Sequence, residues 1–115
     1  MKTILISIDT LRSDRLGCYG YDFPKERTSP FIDSLAEKGV LFERHYATEV
    51  PTPCSYTSML HGVRAIKNGI YTFGHYAREF KCATPSIAQR FYVAGHRTGA
   101  ISNLAQIYPW LHAGF

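Results

Sequence analysis

The sequence predicts an α/β fold, layered α/β/α around a mostly parallel sheet, and three features of its 115 residues predict it. A nearly continuous β-branched run, Ile4-Leu5-Ile6-Ser7-Ile8, has the pattern of a strand covered on both faces. Thr28-Ser29-Pro30 and Thr84-Pro85 join a hydroxyl cap to a proline, and each opens an apolar stripe at helical spacing that a glycine closes. Extended apolar runs alternate with these helices, and a strand–helix–strand series implies right-handed crossovers.

In chain order, the first strand ends at Asp9, a charge that a buried strand would not carry in its middle. Ser29 is the expected N-cap of a helix with Pro30 at its first position, Phe31, Ile32, Leu35 and Ala36 on one face, and Gly39 as its stop. Val40-Leu41-Phe42 and the residues on to Ala47 read as a second strand. Pro51-Thr52-Pro53 begins another helix, with Tyr56, Met59 and Leu60 expected on its inner face and Gly62 ending it. Residues 63–82 read as loop, with turn signals at Asn68-Gly69 and Gly74. A third helix carries Ile87, Ala88, Phe91, Tyr92 and Ala94 and ends at Gly95, and Arg97 to Ser102 reads as a further strand. The aromatic ending, Trp110 to Phe115, reads as loop.

This length is that of one domain, residues 1–115. With 45% hydrophobic and 19% charged residues the composition is globular, not disordered. No apolar run reaches the roughly 18–20 residues of a membrane span. The N-terminal apolar stretch is also too short for a secretory signal, so the expectation is a cytoplasmic protein without a membrane partner. The net charge of +4 is scattered and forms no basic cluster, so no nucleic-acid partner is expected. Cys18, Cys54 and Cys82 are odd in number and lack metal-ligand spacing, as expected of reduced thiols.

Two places could carry chemistry. Asp9 follows the first strand, where open parallel sheets bind ligands, and its carboxylate could hold a divalent cation. An aspartate there also serves as a turn residue or helix cap. The Thr52-Pro53-Cys54-Ser55-Tyr56 junction is a helix start, whose amide groups and dipole favour a sulfate or phosphate. A hydroxyl at that point could attack the anion, or it could simply cap the helix. The histidines His45, His61, His75, His96 and His112 have no ligand-like spacing, and His61 is of interest for its sequence proximity to Thr52. Arg12, Asp14 and Arg15 either orient the Asp9 loop or lie in solvent.

The ordered motifs carry a resemblance. Ile8-Asp9-Thr10-Leu11-Arg12-Ser13-Asp14-Arg15-Leu16-Gly17-Cys18-Tyr19-Gly20-Tyr21 resembles the opening of the sulfatase family, within the alkaline phosphatase superfamily. The stretch from Thr28 to Phe42 is similar to the family's TPNLDRLAxEGVxF unit. Ser58-Met59-Leu60-His61-Gly62 is similar to SLLTG, and Ala94 to Ile101 is similar to AGYRTAAI.

The resemblance implies that Asp9 is a metal ligand and that Thr52 stands at the nucleophile position and also touches the metal. Sulfatases place there a cysteine that is converted to formylglycine, in the pattern C-x-P-S-R. The corresponding residues here are Thr52-Pro53-Cys54-Ser55-Tyr56, of which only Ser55 agrees. Thr10 replaces a second aspartate, and Asn103 and Ala105 fall near a family lysine and histidine. Cys54 lacks the neighbours that conversion requires, and a small packed residue is expected. A threonine nucleophile resembles that of the superfamily's phosphodiesterases and phosphoglycerol transferases.

The implied activity is metal-dependent hydrolysis of a small-molecule sulfate or phosphate ester, with calcium, magnesium, manganese or zinc as the cation. The chain is expected to form the N-terminal part of an alkaline phosphatase-like fold, inactive by itself and prone to self-association through an exposed aromatic C-terminal surface. A non-catalytic α/β module that binds an anion or a protein is the alternative.

Overall fold

The computed structural model describes residues 2–22, 27–74 and 79–115; His75 lies outside them. Its helices are α1 (Pro30–Lys38), α2 (Thr52–His61), α3 (Ala65–Asn68), α4 (Ile87–Val93) and α5 (Leu104–Ile107). Single 3-10 turns occupy Ser13–Arg15, Gly17–Tyr19 and Pro109–His112. None of the helices among the described residues is long and apolar enough to cross a membrane.

The expected parallel sheet is absent: the described residues contain no strand. Residues 4–8, 40–47 and 97–102 are not strands, and most of their apolar side chains are exposed, with Ile4 84%, Val40 80% and Ile101 fully exposed. A strand exists only through hydrogen bonds to a neighbour, so β-branched composition gives an extended preference without supplying the ladder. The α/β/α layering is therefore corrected to helices and 3-10 turns joined by irregular segments.

The chain divides into two compact units, residues 1–45 and 46–115. In the first, α1 starts where Ser29 and Pro30 place it. The Ser29 side chain does not cap the helix. Its hydroxyl instead accepts the Gly17 amide at 2.9 Å and donates to Asp33 Oδ1 at 3.0 Å. The same Asp33 oxygen accepts the Cys18 amide at 2.7 Å. This places the Gly17–Tyr19 turn so close to α1 that a Cβ at Gly17 would collide with the Asp33 carboxylate. The apolar face expected on α1 stays open, with Phe31 70% and Leu35 51% exposed.

The second unit is built on α2. Its buried residues are Pro53, Cys54, Thr57, Ser58 and His61, whereas Met59 of the expected inner face is exposed and Tyr56 and Leu60 are only partly buried. Cys54 packs with Ala65, Ile70, Tyr108, Trp110 and Leu111. The indole Nε1–H of Trp110 donates to Thr57 Oγ1 at 2.7 Å, and Phe80 stacks on the Trp110 ring. Residues read as loop include α3, which ends in the fully buried Asn68. The Asn68 amide donates to Val63 O at 2.9 Å and Ser58 Oγ at 3.3 Å, and its oxygen accepts the Ile70 amide at 2.8 Å. Glu49 Oε1 accepts Arg64 Nε at 3.0 Å and the Ala65 amide at 3.1 Å.

The C-terminal reading also changes. Tyr108 and Trp110, expected to be exposed, are 8% and 7% exposed, because the Pro109–His112 turn folds them onto α2. Ser86 caps α4 in a reciprocal box with Gln89, and its hydroxyl donates to Ala113 O at 2.6 Å. Gly114 lies against the α4 backbone at Ala88 and Gln89, where no side chain fits.

Thr57→Val leaves the buried indole N–H without an acceptor and should cost ~1–3 kcal/mol in urea unfolding. Trp110→Phe should cost more, and the double variant less than the sum, because the unmade bond is counted twice. Strict additivity would show that the bond does not form.

Glu49 gives a pH prediction. Its hydrogen bond from Arg64, then that from the Ala65 amide, holds the carboxyl below the ordinary carboxylate range. This stabilisation is present above the unfolded value and lost as pH falls through the lowered folded value. Urea midpoints measured from about pH 6 to about pH 3 should fall more steeply for the native chain than for Glu49→Gln. Parallel curves would contradict the linkage.

Candidate active site at the start of helix α2

Thr52 is the first residue of the ten-residue α2, after the extended Pro51. Pro51 has no side chain able to cap, and its carbonyl accepts the Ser55 amide at 3.0 Å, closing the first turn. Pro53 has no N–H, and at the first helical turn that costs no helix hydrogen bond. The positive end of the helix dipole lies at the same point. Thr52 is half-buried. A hydroxyl and the positive end of a helix dipole thus meet at one helix terminus, a position that favours an anion.

Cys54 is completely buried in the core. Burial pushes its thiol up, a backbone hydrogen bond opposes this, and the Glu49 charge adds to it. The protonated thiol is a poor nucleophile.

Asp9 is exposed, in a turn with Thr10. Thr10 holds a φ of +60°, an uncommon conformation for a β-branched residue. Arg12 and Asp14 form an exposed ion pair with each other at 2.6 Å. Arg15 lies over the Tyr21 ring, 5.3 Å from its centroid.

His61 is on the same helix as Thr52 but nine residues on, about 13 Å along the axis. It is 6% exposed, and its Nδ1–H donates to the Thr84 carbonyl at 2.8 Å. Its buried Nε2 has no hydrogen-bond partner among the described residues. His45 and His96 lie beside Phe42 and Phe91, and His112 is exposed in the C-terminal turn. Asn103 is the N-cap of α5, which contains Ala105.

No three His, Cys, Asp or Glu among the described residues form a group that could hold a metal ion. Asp9 belongs to the first unit and Thr52 to the second.

Sequence reasoning missed Glu49 and the Trp110–Thr57 bond. Neither belongs to a motif, and a hydrogen bond spanning 53 residues leaves no local periodic signal.

Comparison with known proteins gives a consistent family. Residues 2–109 match the family model described as Sulfatase. Iduronate 2-sulfatase of Mus musculus is 34% identical over 119 aligned residues, 96% of this chain and 21% of the relative. The Homo sapiens iduronate 2-sulfatase is 33% identical over 104 residues, 90% of this chain and 18% of the relative. This chain spans about a fifth of the length of these curated relatives. No solved structure matches. A family match over nearly the whole sequence, with relatives one-third identical, means that the chain belongs to the sulfatase family.

Proposed function

We propose that the protein carrying this chain hydrolyses sulfate esters and that the Thr52 hydroxyl is its nucleophile. The observation that carries the reading is the position of Thr52 at the first residue of α2, in a chain that matches the sulfatase family over residues 2–109. The Thr52 oxygen forms a bond to sulfur as the ester S–O bond breaks, and the hydroxyl proton leaves with the departing alcohol. Water then cleaves the sulfothreonine, releasing sulfate and restoring the hydroxyl. The positive end of the helix dipole stabilises the negative oxygens during both steps.

Threonine has no second hydroxyl from which to eliminate sulfate, so the second step needs an attacking water. This requirement also fits a phosphate ester, which makes the ester type the first quantity to measure. The iduronate 2-sulfatases named above motivate a sugar sulfate as the natural substrate class. Asp9 is the chain's proposed oxygen donor to a divalent cation. That role needs further ligands, and no step here passes through it.

The test is turnover of 4-nitrophenyl sulfate and bis(4-nitrophenyl) phosphate by the full-length protein. Thr52→Ala should lower turnover by at least ~1,000-fold, whereas Cys54→Ala should change kcat by less than about tenfold. Loss of activity in Cys54→Ala with Thr52→Ala active would overturn the assignment. Faster turnover of the phosphate diester would move the substrate class to phosphate, and hydrolysis of neither would favour a non-catalytic module.

A further inference from the structure

We infer that Glu49 is a positioning residue for this reaction, fixing the approach of the chain to Thr52 through the clamp it forms with Arg64 and Ala65. The inference rests on the reading of Thr52 given above. Residues 46–48 and Val50 are exposed, with Tyr46 78% and Val50 79% exposed, so side-chain packing does not hold them. The Glu49 side chain, by contrast, is only 14% exposed. It stands three residues before Thr52, and within this run its carboxylate makes the described attachment to the rest of the unit.

That attachment is well chosen chemically. One oxygen, Oε1, accepts both the Arg64 guanidinium Nε–H at 3.0 Å and the Ala65 amide at 3.1 Å. Ala65 is itself 3% exposed and packs in the same core as Cys54. The clamp therefore ties the segment entering α2 to the segment leaving it, closing a loop of fifteen residues around the helix. The Arg64 charge offsets the carboxylate close to a helix end that would otherwise attract an anion less strongly. Pro51 is tied into α2 by its carbonyl, which accepts the Ser55 amide. Without the clamp it is therefore the chain up to Val50 that loses its described side-chain attachment, and the start of α2 that carries Thr52 is no longer braced against it. A misplacement of about 1 Å at a reacting atom can cost about 100-fold in rate.

Glu49→Ala and Glu49→Gln in the full-length protein, assayed with 4-nitrophenyl sulfate and corrected for folded fraction, test this. Glu49→Ala should lower kcat by ~10- to 100-fold while KM stays within about twofold. Glu49→Gln keeps an acceptor for the Ala65 amide and should recover most of the loss. Amide hydrogen exchange at Ala65 should accelerate in Glu49→Ala and stay slow in Glu49→Gln. A purely structural role would reduce the folded fraction and leave kcat per folded molecule unchanged, which would overturn the inference, as would unchanged exchange at Ala65. If Thr52→Ala is inactive but Glu49→Ala turns over normally, only the positioning role falls. If the native protein hydrolyses no sulfate ester, the assignment of Thr52 and this inference fall together.

Discussion

The hydrogen bond from the Trp110 indole to the Thr57 hydroxyl ties the C-terminal turn of the second unit to α2, the helix that begins at Thr52. The bond joins residues 53 apart in sequence and lies wholly inside the core. Trp110 brings with it Tyr108, Leu111 and the stacked Phe80, which together cover one side of α2. A helix of four turns or fewer is marginal in water by itself. Here it is stable because a large aromatic surface is seated on it, and the indole finds a partner instead of being buried unpaired.

Polar side chains hold the remaining joints. The Asn68 side-chain NH2 holds α3 against α2 at Ser58 while its oxygen takes the Ile70 amide, and Ser86 connects the start of α4 to Ala113 near the C-terminus. In the first unit Asp33 and Ser29 do the same for the Gly17–Tyr19 turn. Many apolar side chains stay outside, so these hydrogen bonds take on more of the specification of structure than in a protein with a large apolar core. Next to Thr52 in sequence, the Glu49 carboxylate and the Pro51 carbonyl are likewise held by hydrogen bonds, which are directional.

What the sequence made legible was local. Pro30 and Ser29 marked the start of α1, Thr52 the start of α2, and Gly62, at φ +64°, its end, because a proline in the first turn and a left-handed glycine act on their own neighbours. Thr52 was found from the family motif and lies at a helix terminus as expected. The sheet was not legible. Ile4 to Ile8 has strand composition, but a ladder depends on a partner strand, and no local pattern shows whether one pairs. The inner face of α2 was misjudged for a related reason. Thr57, Ser58 and His61 are polar and were not counted as core, although each is buried. His61 illustrates a second limit: near Thr52 in sequence, it lies at the opposite end of the helix. Glu49 carried no motif, and only its two hydrogen bonds reveal it.

The proposed reading makes one chemical claim, that an oxygen of Thr52 bonds to sulfur during turnover. Tyr56 and Cys54 depart from the family's formylglycine pattern, and the buried, protonated Cys54 is poorly suited to replace Thr52. The most direct measurement is mass spectrometry of the full-length protein quenched during turnover of a sulfate ester. The account predicts a peptide heavier by one sulfo group, with fragmentation placing that group on Thr52. An adduct on Cys54, or an aldehyde at that position, would contradict it.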